Sequence, residues 1–162
     1  MQKNLPKIYC FVNDFNLSEL SKLSKNISII YRNYNNDNHL DNIIKLKQFS
    51  KKSGNDIYIS NNIKLAVKLG LNGVYIPSFN KKINYAQTYS LPKKFKIVGS
   101  AHNYAEIILK QKQKCNEIFL CPIFQVKKSK KFLGIIKFNL MALNTQINYI
   151  ALGGINQKNY KK

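Results

Sequence analysis

Apolar positions in this 162-residue chain gather into seven short runs rich in Ile, Val, Tyr and Phe, and none alternates strictly with polar residues. That pattern suits strands covered on both faces, as in a parallel sheet, better than strands with one wet face. The runs predict strands over Lys7–Val12, Ile27–Arg32, Asp56–Ser60, Gly73–Pro77, Lys96–Ser100, Glu117–Ile123 and Tyr149–Ile155. Helical patterns lie between them at Ser18–Lys25, Leu40–Lys51, Asn62–Leu69, Tyr104–Lys114 and Ile136–Leu143. Ser18 with Glu19 offers cap chemistry to the first helix, and the glycines of Leu69-Gly70-Leu71-Asn72-Gly73 are placed to stop the third.

Strand–helix alternation at this spacing argues a parallel α/β domain. No G-x-G-x-x-G turn follows the first strand, which speaks against a doubly wound dinucleotide fold. Seven strands without a long linker fit an incomplete TIM-type (β/α) barrel, a single domain over 1–162 with its eighth strand missing. Such barrels usually take about 200 residues or more. The sequence therefore reads as a shortened copy, or as an open barrel whose edges something else covers, a second copy of the chain for instance.

Charge changes the picture less than its size suggests. The net charge is +20, but the lysines are dispersed, and only Lys127-Lys128-Ser129-Lys130-Lys131 is dense. No aromatic-interleaved signature or recognition-helix motif accompanies them, so a solvated lysine surface is preferred to a nucleic-acid partner. The start of the chain has no signal pattern, and no apolar run approaches the ~20 residues of a membrane helix, so the expectation is a cytoplasmic protein without a membrane partner. Cys10, Cys115 and Cys121 are an odd number without metal or C-x-x-C spacing, which suits a reducing compartment. Cys121, at a strand end, reads as a small buried hydrophobe before a nucleophile.

In barrels of this kind the reactive face lies at the C-terminal strand ends. Here those ends carry Asn13-Asp14, Arg32 to Tyr34, Ser60-Asn61-Asn62, Pro77 to Asn80, Ser100-Ala101-His102, Pro122 to Lys131 and Gly153-Gly154-Ile155-Asn156. The set is polar, small and cationic, which describes a site for anions. Arg32 is the only arginine among 27 basic residues. Its planar fork grips phosphate or carboxylate bidentately, which an ammonium cannot do, so it is the first candidate for a substrate contact. Gly153-Gly154 lets backbone N–H groups approach a phosphate, with the dipole of a helix beginning near Asn156 behind them. Asp14 reads as a helix N-cap, Asn61 as a further cap for the helix at Asn62, and His39 as a surface residue.

Ordered along the chain, these motifs resemble the thiamine-phosphate synthase/TenI family. Ile59-Ser60-Asn61-Asn62…Leu65-Ala66…Leu69-Gly70…Asn72-Gly73-Val74-Tyr75-Ile76 resembles that family's I-N-D-R…L-A…L-G-A-D-G-V-H-L, and Ser100-Ala101-His102 its S-A-H. Cys121-Pro122-Ile123-Phe124 is similar to G-P-I-F, and Ile150-Ala151-Leu152-Gly153-Gly154-Ile155 to V-A-I-G-G-I. The resemblance implies a transferase joining hydroxymethylpyrimidine pyrophosphate to thiazole phosphate, with Mg²⁺ on two aspartates and a Gln-x-Arg-x-Lys strand end. This chain has Ile30, Arg32 and Tyr34 at that strand end, and Asn61 and Asn80 at the aspartate positions. Mg²⁺ would thus lack its acidic ligands. On the resemblance, Arg32, Asn61, Asn80, Ser100, Lys127, Lys128, Gly153 and Gly154 bind the phosphorylated substrate.

Two outcomes follow from these replacements. Either Lys127, Lys128 and Lys130 supply the charge the metal would bring, or the synthase reaction is lost, since removing one transition-state donor already costs about 10²–10³ in rate. A third reading comes from Ile76-Pro77-Ser78, which resembles the TenI branch. There a metal-free tautomerase uses the histidine of S-x-H, here His102, as acid and base. The alternative for His102 is a helix-opening residue that bonds its own turn. Synthase, tautomerase and non-catalytic phosphate-ligand binder all stay open.

Overall fold

Among the described residues seven strands and five helices follow in the order β1 (Ile8–Val12), α1 (Leu17–Leu20), β2 (Ile27–Tyr31), α2 (His39–Ser53), β3 (Ile57–Ser60), α3 (Ile63–Lys68), β4 (Gly73–Ile76), β5 (Lys96–Ala101), α4 (Tyr104–Lys112), β6 (Glu117–Leu120), α5 (Gly134–Leu143) and β7 (Asn148–Ala151), with no helix between β4 and β5. The structure is a computed structural model and describes residues 7–34, 39–127, 130–143 and 147–160. Sequentially ordered parallel strands with intervening helices are the β/α repeat of a TIM-type barrel. Each strand and helix read from the sequence is present, with ends shifted by a few residues. Among the described residues no helix is long and apolar enough to cross a membrane.

The chain forms two compact units, Met1–Tyr75 with Leu91–Phe95, and Ile76–Ser90 with Lys96–Lys162. In the first, Ile8 lies beside Ile27, Ile29 beside Ile57 and Tyr58 beside Gly73, all parallel. Its core is Ile29, Tyr31, Ile43, Leu46, Ile57 and Ile59, each without solvent exposure. Every residue of β3 is buried, which is why Ile57, Tyr58 and Ile59 are consecutive apolar residues instead of alternating with polar ones. At roughly 1.5–3 kcal/mol for each such side chain, this burial is the main support of the unit.

One device recurs in both units. Helix α3 ends with Gly70 N–H on Val67 O and Leu71 N–H on Ala66 O, and α4 ends with Lys114 N–H on Gln111 O and Cys115 N–H on Lys110 O. Gly70 and Lys114 both have φ of +60°, the left-handed C-terminal cap. An asparagine follows each cap. Asn72 and Asn116 accept from Ile57 N–H and Ile97 N–H through their side chains and donate their own N–H to the carbonyls of the same residues. These two-point clamps set where β4 and β6 start, and so where their C-terminal ends lie.

Candidate functional site

In the first unit, Arg32 leaves β2 with its N–H on Val12 O at 2.8 Å. Its guanidinium carbon lies 5.0 Å from the centroid of the Phe11 ring, and Phe11 meets Tyr75 edge-to-face at 5.3 Å. Stacking on an aromatic face orients the exposed guanidinium while leaving its N–H donors unspent. Among the described residues it makes no ion pair. Tyr34 and Ser60 share a hydrogen bond of 2.7 Å between their hydroxyls. Ile30 is fully buried core.

Asn61 has φ of +57°, an uncommon conformation for a residue with a side chain, and its N–H bonds Tyr75 O at 2.8 Å. It is not the cap expected of it: Asn62 caps α3, accepting from Leu65 N–H at 3.0 Å. The first helix is likewise capped by Asn16, which accepts from Ser18 and Glu19 N–H, and not by Asp14 or Ser18. Asp14 instead accepts from Asn33 at 3.4 Å and Asn42 at 3.5 Å. His39 also departs from expectation. It is half-buried at the start of α2, its ring centroid 5.2 Å from that of Tyr31, and burial holds its pKa below the usual histidine value.

In the second unit, His102 stands between β5 and α4. One carboxylate oxygen of Glu106 accepts from its backbone N–H at 2.8 Å and lies 2.9 Å from its Nδ1. Asn103 caps the helix through Glu106 N–H at 2.9 Å and donates to the other Glu106 oxygen at 3.3 Å, a capping box. A carboxylate on Nδ1 makes that nitrogen the proton donor and leaves Nε2 the basic one. Nε2 has no partner among the described residues. His102 thus bonds its own turn, and its ring is oriented by doing so. Glu106 was missed from the sequence, although Asn103-x-x-Glu106 is a legible capping box. Ser100 is buried within β5.

Gly153 and Gly154 follow β7 with φ of +93° and +72°. A Cβ on Gly153 would lie 2.9 Å from Pro122 Cβ, and one on Gly154 would lie 2.7 Å from the carbonyl oxygens of Phe124 and Gln125. The pair is therefore demanded by the chain's own 122–125 turn, which passes against it. Among the described residues neither amide N–H has an acceptor. Among the described residues, 157–160 make a single turn after Asn156, tied by Lys158 N–H on Asn156 Oδ1 at 2.8 Å and Tyr160 N–H on Asn156 O at 3.0 Å. Lys127 is exposed, and Lys128 lies outside the described residues.

The donor set does not fit Mg²⁺. Asn61 and Asn80 are neutral amides, and Asn80 is buried with its side-chain oxygen accepting from Lys82 N–H at 3.0 Å. Among the described residues no three His, Cys, Asp or Glu side chains gather.

A family model described as thiamine monophosphate synthase matches residues 19–162. A thiamine-phosphate synthase of Prochlorococcus marinus is 32% identical over 115 residues, covering 68% of this chain and 33% of its relative. One of Flavobacterium psychrophilum is 28% identical over 137 residues, covering 76% and 65%. The chain thus spans about a third of the length of the first of these relatives. A solved thiamine phosphate pyrophosphorylase from Pyrococcus furiosus has the same fold, with a TM-score of 0.64 at 18% identity over 82% of this chain and 64% of that one. The chain belongs to the thiamine monophosphate synthase family.

Proposed function

We propose that the chain binds a phosphorylated thiazole of thiamine biosynthesis through its phosphate, without a divalent metal at the two asparagine positions. The observation that carries this reading is the pair of consecutive amides, Gly153 and Gly154, with no acceptor among the described residues. Two such donors at a strand end suit phosphate oxygens. Lys127, which follows the 122–125 turn packed on the glycines, adds an exposed charge, and Arg32 gives the first unit an anion contact of its own. Calorimetric titration with thiazole phosphate tests the reading. Binding is expected to survive EDTA and to be at least tenfold weaker for the unphosphorylated alcohol. Equal affinities for the two would end it.

A second reading rests on the His102–Glu106 contact. With Nδ1 held, Nε2 can take and return a proton, which a tautomerase requires and a binder does not. The synthase reading has less support, since two neutral amides and Tyr34 stand where the family's chemistry uses charge.

A further inference from the structure

Lys110 is completely buried on α4, and no carboxylate receives its charge. Its Nζ donates instead to Pro77 O at 2.7 Å, Gln113 Oε1 at 2.9 Å and Asn80 O at 3.2 Å, which uses all three of its hydrogens. Gln113, also fully buried, donates through Nε2 to Asn80 O at 2.9 Å and Lys82 O at 3.0 Å. Two side chains on successive turns of one helix therefore hold three main-chain carbonyls of the 77–82 segment that leaves β4. Strand β5 is cut to fit: a Cβ on Gly99 would lie 2.8 Å from Lys110 Cδ, so the glycine makes the passage for the lysine stem.

A buried ammonium is a poor choice for stability alone, because an apolar side chain of similar volume avoids the loss of its hydration. It is a good choice for gathering several carbonyls at one point. We infer that Lys110 is a positioning residue, which with Gln113 pins the 77–82 segment and so places Asn80 at the C-terminal end of β4. The ligand consequence rests on the phosphorylated-thiazole reading, whereas the pinning does not.

Amide hydrogen exchange on the whole chain tests this. In Lys110→Met at pH 7.5, and separately in Gln113→Leu, exchange of 78–82 is expected to be at least tenfold faster with β6 unaltered. Thiazole phosphate should bind Lys110→Met about tenfold more weakly. If wild type does not bind it, the ligand reading fails while the exchange data still judge Lys110. If the variants do not fold, the wild-type Lys110 ammonium observed by nitrogen-15 NMR judges the inference: slow exchange of its hydrogens with water supports it, and exchange as fast as that of an exposed lysine overturns it. Faster exchange spread evenly over the second unit overturns it too, since that is what a merely structural lysine would give.

Discussion

Gly154→Ala is expected to lower the stability of the second unit by about 3 kcal/mol or more, well beyond the usual cost of a side chain in left-handed backbone. Its φ is +72°, and the added Cβ would sit 2.7 Å from two backbone carbonyl oxygens, which cannot move without displacing the 122–125 turn. Gly70 separates the two effects. Its φ is +60°, but nothing lies within 4 Å of the same added atom. Gly70→Ala should therefore cost only about 1 kcal/mol, the conformational part alone. Urea unfolding of both variants measures the difference. Equal losses would mean that the 122–125 turn does not press on Gly154.

His102→Gln carries the second large effect. On the proton-transfer reading, it removes the only side chain placed here as acid and base, and isomerisation of thiazole phosphate should fall at least ~10²-fold. Phosphate-dependent binding should stay within about twofold, since the ring is not proposed to touch the phosphate. Glu106→Gln should cost less, about tenfold, because an amide oxygen still accepts from Nδ1–H but no longer stabilises the imidazolium. Product formation followed by NMR separates these cases. Isomerisation at the wild-type rate in His102→Gln would leave His102 as a first-turn residue of α4 and nothing more.

How far the fold was legible follows from what each segment does. The largely apolar runs at β3 and β6 announced fully buried parallel strands, and all their residues are buried, Ser60 and Glu117 included. Boundaries were less legible, because asparagine is so frequent that capping residues do not stand out. Asn16, Asn62 and Asn103 each cap a helix, but only the direction of their side chains tells them from their neighbours. Lys114 was invisible for another reason. It occupies the left-handed position that a glycine fills after α3, and nothing in a lysine signals that conformation. Helix α5 is rich in apolar residues, yet Ile136 is 79% exposed and no residue of it is buried.

At the site, the rarity of arginine singled out Arg32, and the structure adds the Phe11 ring that orients it. The glycine pair was read as room for a ligand, whereas the space above each Cα belongs to the chain's own turn. What the pair leaves for a ligand is its two amides, which have no acceptor among the described residues. Lys110 was lost among 26 lysines, because burial of one lysine depends on tertiary contacts that spacing does not encode.

The most direct measurement of the central claim is the backbone amide shift of Gly153 and Gly154 during titration with thiazole phosphate in EDTA. Both resonances are predicted to move downfield and saturate together with calorimetric binding, while the unphosphorylated alcohol leaves them in place. Saturation of binding with both amides unmoved would contradict the account.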